Sequence, residues 1–265
     1  MRKLNAFEIL TTIVLCITGI VLIGLQNKLF GWIIWLIGLA SLLLCRKDFA
    51  KEFLLIFISM GLLGITRITT DVSYIHMVEM GITLTLAIAI PYYVSRYVYK
   101  DNLIKFKFHH GRKWFKSEIL YIAVTAVLAY LILPIYLKDT SAYLNWTVNS
   151  GWENITKLFI GTNALGIWDE LFFISTVLGI LRRYIPFHWA NIVQAVLFTS
   201  FLFELGFTGW GFIMIYLFAL IQGYVFRKTD SLFYVITIHL TLDLILFLAL
   251  IWAHHPSWMP VFVVF

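Results

Sequence analysis

Nine apolar runs in a chain of 265 residues constrain its folding more than any motif does. They fall at roughly 6–25, 29–45, 53–66, 73–95, 119–137, 158–181, 184–207, 209–226 and 231–252. Most approach the ~20 residues a helix needs to cross the hydrocarbon core, where only helices and closed barrels satisfy their own backbone. The run at 53–66 is short and reads as tilted, re-entrant or longer than its apolar part. A water-soluble globule fails on composition. The chain is 61% hydrophobic and 13% charged, with a mean hydropathy of +0.90, against about 25% charged residues in a soluble domain. These runs predict an all-α polytopic transmembrane bundle of about eight or nine spans.

The formal net charge of +6 could suggest nucleic acid, but its distribution argues otherwise. With nine crossings and a cytoplasmic N-terminus, only Lys28, Arg67, Lys138 and Lys157 fall outside. The other sixteen of the 20 lysines and arginines fall inside, as the positive-inside rule expects. Basicity here reports orientation, and no nucleic-acid partner is expected. The first run is too long for a signal peptide and lacks a small-x-small cleavage site, so it reads as a retained span. The inner loop YKDNLIKFKFHHGRKWFKSE mixes basic and aromatic residues beside a span, which predicts contact with anionic lipid headgroups. Cys16 and Cys45 form neither a disulfide framework nor a metal spacing. The chain divides into N-terminal helices over 1–137, an extracytoplasmic loop over 138–157, a helical core over 158–252 and a tail over 253–265. An integral protein of a bacterial plasma membrane is the expected setting.

Polar residues inside the spans concentrate in the C-terminal core. Asp169 and Glu170 stand side by side within GIWDELFFISTVLGILRR, and a charge at the bilayer centre costs about 2.5–3.5 kcal/mol on insertion scales. Glu204 lies near the end of the next run. In YVITIHLTLDLILF, His239 and Asp243 are four apart and share a helix face. GYVFRKTDSLF reads as a tight inner turn leading into that helix. His76, Glu79, His109, His110, His254 and His255 lie near span edges without ligand-like spacing to a partner. Burial favours the neutral form of a carboxyl group, which makes a desolvated carboxylate a stronger base toward water. An imidazole can donate to a developing oxyanion, and a carboxylate can hold its tautomer. The same groups could bind a divalent cation such as zinc, although one histidine is a thin nitrogen set for it. A proton relay is a third use, but no inverted repeat accompanies it.

The chain resembles the CAAX-protease and bacteriocin-processing (Abi) family of intramembrane proteases, whose motifs are E-E-x-x-x-R, F-x-x-x-H and H-x-x-x-N/D. Asp169-Glu170-Leu-Phe-Phe-Ile174 resembles the first, Phe198-Thr-Ser-Phe-Leu202 the second and His239-Leu-Thr-Leu-Asp243 the third, over roughly 155–250. The first glutamate is Asp169, the arginine is Ile174 and the second motif's histidine is Leu202. The resemblance implies a peptidase in which Glu170 activates water. His239 would stabilise the oxyanion or bind metal, with Asp169, Asp243 and Glu204 assisting. Glu204 sits about 200° round an ideal helix from Leu202, so it joins them only if that helix is unwound or bulged. A peptide or membrane-protein substrate is expected. The alternative is an inactive member acting as an immunity or peptide-binding scaffold.

Overall fold

The computed structural model describes residues 4–108 and 113–262, so His109 and His110 lie outside the described residues. Among the described residues the regular structure is entirely helical. The nine helices are α1 (Ala6–Gly24), α2 (Lys28–Leu42), α3 (Lys47–Ile65), α4 (Tyr74–Val98), α5 (Lys116–Asp139), α6 (Trp152–Tyr184), α7 (Phe187–Glu204), α8 (Gly211–Thr229) and α9 (Leu232–His254). Six of them (α1, α4, α5, α6, α8 and α9) are long and apolar enough to cross a membrane. The chain is an integral membrane protein of the expected all-α class.

Contacts between turns sort the helix ends into two sets. At one end Lys28 donates to the Gly64 carbonyl (2.8 Å), Thr70 to that of Asn145, and Trp210 to Asp139 (3.0 Å). At the other, Arg46 grips Glu8 (2.6 and 2.5 Å) and Arg183 holds Glu52 (2.7 Å). There the Lys107 carbonyl also accepts from Leu232 N–H (2.8 Å). Consecutive helices therefore run in alternate directions.

Two helices are longer than hydropathy indicates. α3 begins at Lys47 because Glu52, which ends its apolar run, is fully buried against Arg183. A paired carboxylate can continue a buried helix where a hydropathy window sees only a charge. α6 spans 33 residues, with Asp169 at its midpoint. Its apolar window is 72% buried, against 17% for α4 and 22% for α5. α6 is therefore the central post, while α4 and α5 turn most of their apolar surface outward, where lipid is the only compatible solvent. The loop expected over 138–157 shrinks to 140–151, because α5 continues to Asp139 and α6 starts at Trp152. The expected inner turn at 223–233 is also mostly helix. α8 runs through Gly223 to Thr229, and Asp230, with a left-handed φ of 49°, and extended Ser231 make the turn.

α9 packs most extensively on α5 and on α6, and α7 on α8 and the end of α1. After α9 the chain folds back along α5. Tyr130 donates to the Val261 carbonyl (2.6 Å) and stacks on Phe262 at 5.0 Å.

The alternation predicts that single cysteines at Ser141 and Asp230, in a background lacking Cys16 and Cys45, react with an impermeant maleimide from opposite sides. Labelling of both from one side of sealed vesicles would contradict it.

Candidate active site

Gly166 sets the closest approach of α6 to α9. A Cβ there would collide with the Asp243 carboxylate and press on the His239 ring, so only hydrogen fits. One turn later α6 widens into a π-helical stretch, Glu170–Val177. Its i→i+5 hydrogen bonding is shown by Leu178 N–H donating to the Phe173 carbonyl. Adjacent residues diverge by about 100° on an α-helix, and a wider turn brings them nearer to one face. Such a bulge lets Asp169 and Glu170 both address α9.

They meet His239 on opposite edges of its ring. Glu170 Oε1 lies 2.9 Å from Nδ1. Asp169 Oδ2 and Asp243 Oδ1 lie 3.9 and 3.8 Å from Nε2. Phe198 stacks on the imidazole at 5.9 Å and Phe218 meets it edge-on at 5.1 Å. The ring thus has apolar walls and acidic edges. Four of the five residues expected in the site come together here: Asp169, Glu170, His239 and Asp243.

Glu204 does not join them. α7 stays α-helical to its last residue, without the bulge that would rotate Glu204 inward. Leu202 faces the site instead, and Glu204 faces Lys28 of α2. Immediately before the GYVFRKTDSLF stretch stands one group that does not stand out in the sequence. Gln222, fully buried on α8, donates to Glu170 Oε1 (2.7 Å) and to the Val235 carbonyl (3.0 Å). Its signal was available as the lone amide in FALIQGYVF, where a buried polar group needs a partner.

A cavity of about 500 Å³ opens above the cluster between α5, α6, α8 and α9. Asp169, His239 and Asp243 line it, with Leu202, Trp210 and Phe218 among its apolar walls. Glu170 is not on its surface and sits behind the ring, fully buried. The two carboxylates therefore differ in kind: Asp169 meets whatever enters, and Glu170 holds the imidazole. Both oxygens of Asp169 and Oδ2 of Asp243 have no hydrogen-bond partner within the protein, so their accepting capacity is available to water or substrate. Leu128 and Ile132 of α5 and Ile213, Leu217 and Ile221 of α8 form the exposed apolar rim. α5 and α8 do not pack closely on each other, so the cavity reaches the lateral surface between them.

The donor set does not fit zinc. Structural and catalytic zinc sites take several nitrogen or sulfur ligands at about 2.0–2.3 Å. Here one imidazole meets carboxylates only, its Nδ1 is engaged by Glu170, and the second motif's histidine is Leu202. Among the described residues no group of three or more His, Cys, Asp or Glu side chains is placed to hold a metal ion.

Residues 150–245 match the family model described as type II CAAX prenyl endopeptidase Rce1-like, which supports assignment to the CAAX-protease family. The match takes in α6 to α9 as far as Asp243, and thus every residue of the cluster. No curated protein and no solved structure matches the chain.

Gln222→Leu should leave the fold intact yet cost about 1–3 kcal/mol, because Glu170 loses a donor in a dry setting. Gly166→Ala should destabilise by a similar amount, through forced separation of α6 and α9. Thermal unfolding in detergent measures both. Wild-type stability in Gly166→Ala would contradict the close approach.

Proposed function

We propose, from a C-terminal region that matches the Rce1-like CAAX endopeptidase family model, that this chain is an intramembrane endopeptidase cutting an apolar peptide segment that enters from the bilayer. One observation carries the reading. A carboxylate with no hydrogen-bond partner within the protein, Asp169, shares a cavity floor with an imidazole whose far side is fixed by a second carboxylate.

Each residue takes a role from its position. Glu170 accepts Nδ1–H from His239 and is itself held by Gln222, so the ring turns Nε2 toward the cavity. A water between Nε2, Asp169 and Asp243 is within reach of all three, given separations of 3.8–3.9 Å across the gap. Asp169 takes a proton from that water as its oxygen attacks the peptide carbonyl. The imidazolium form of His239 donates Nε2–H to the resulting oxyanion. Asp169 then returns the proton to the leaving amine as the C–N bond breaks. Asp243 orients the water from one turn beyond His239 on the same helix face. Assigning the base to Asp169 departs from the role that family resemblance lends to Glu170. The reason is placement, since both acids are buried but Asp169 lines the cavity and Glu170 does not.

A second reading, peptide binding without turnover, is favoured by Leu202, an aliphatic wall where the family's motif has a histidine. The two differ in their dependence on the acid.

Asp169→Asn, which keeps shape and removes basicity, should lower kcat on an internally quenched apolar peptide in reconstituted vesicles by about 100-fold or more. Gln222→Leu should lower kcat by about 10-fold and leave KM nearly unchanged, because Gln222 acts on the ring through Glu170. Full turnover by Asp169→Asn would overturn the mechanism, and binding without cleavage by the wild type would favour the scaffold.

A further inference from the structure

We infer that the cavity selects an apolar segment carrying a positive charge and disfavours one carrying a free carboxylate. This rests on the peptide-binding reading of the cavity above and adds the chemistry of what enters it.

No lysine or arginine lines the cavity. Its ionisable lining is Asp169, Asp243 and His239, together with the phenol of Tyr121. Glu170 adds a third carboxylate directly behind the ring. One imidazole therefore answers three acids. Asp169 is 1% exposed and Asp243 8%, and three of their four carboxylate oxygens lack any hydrogen-bond donor within the protein. Of the three positions at which the family motifs carry a basic side chain, His239 keeps one, while the others hold Ile174, fully buried, and Leu202, on the cavity wall.

Two basic groups at the outer end, Lys138 and Lys28, are committed elsewhere. Lys138 donates to the Ala253 carbonyl (2.9 Å) and lies against the Tyr143 and Trp252 rings. Lys28 donates to Gly64. Beyond His239, which already answers three acids, nothing in the cavity lining can compensate a further carboxylate, whose entry costs its hydration and meets like charge. An ammonium or guanidinium loses hydration as well, but recovers charge-assisted hydrogen bonds to oxygens that otherwise lack donors. The apolar rim between α5 and α8 admits the rest of the segment.

The test uses the full chain in nanodiscs of zwitterionic phosphatidylcholine, so that the bilayer surface does not sort ligands by charge. Three leucine-rich peptides, identical except for a central Lys, Gln or Glu, compete against a dansyl-labelled apolar peptide. The Lys peptide should bind about 10-fold or more tighter than the Glu peptide, with Gln between. Equal affinities, or a preference for Glu, would overturn the inference. In Leu202→Lys the order should flatten or reverse, and an unchanged order in that folded variant would also overturn it. Should that variant fail to fold, the wild-type series decides alone. Binding in the expected order without cleavage leaves this inference standing and removes the catalytic proposal. Cleavage with no charge order does the opposite.

Discussion

The hydrogen bond between Glu170 and the His239 ring, 2.9 Å long and sealed from solvent, is the contact around which the C-terminal half is arranged. It joins α6 and α9, the two most buried of the candidate membrane spans in that half. It can exist only if Gly166 lets them touch, if α6 widens at Glu170, and if α8 delivers the Gln222 amide to the same oxygen. Removing one member of such a network strands the others, which is why polar clusters in dry interiors act as a unit. Apolar packing would tolerate many small shifts of these helices. An imidazole with carboxylates at both edges tolerates few.

The N-terminal half contributes differently. Its polar groups are spent at the inner end, where Arg46 binds Glu8 and Arg183 ties the end of α6 to Glu52 of α3. Tyr184 adds a bond to the Asp48 carbonyl (2.8 Å). These ties hold the central post upright against α3 without entering the cavity. Charge at the ends fixes the position of α6 along the membrane normal, and charge at its midpoint remains for chemistry.

Much of this was legible in the chain itself. Apolar runs located the helices, and the cost of acids in hydrocarbon singled out Asp169, Glu170, His239 and Asp243. Which acid faces the cavity was not legible, because adjacent residues on a regular helix give no hint of a π-helical turn. The fate of Glu204 depended on a conditional, an unwound α7, that local sequence cannot decide. Gln222 escaped notice because a single amide costs little on any hydropathy scale, and its importance comes from the carboxylate it meets across a helix boundary. The extension of α3 past Glu52 was hidden for the mirror reason: a charge cancelled by a distant arginine still looks like a charge.

The strap formed by residues 255–262 has a mechanical corollary. It braces the outer flank of α5 while α9 braces the inner one, leaving that helix clamped as one doorpost. The opposite post, α8, is wedded to α7. The exposed rim of the doorway is made of α5 and α8 side chains, so its width follows the relative tilt of two helix pairs. Bilayer thickness and lateral pressure act directly on tilt, and the surrounding membrane thereby becomes a participant in admission.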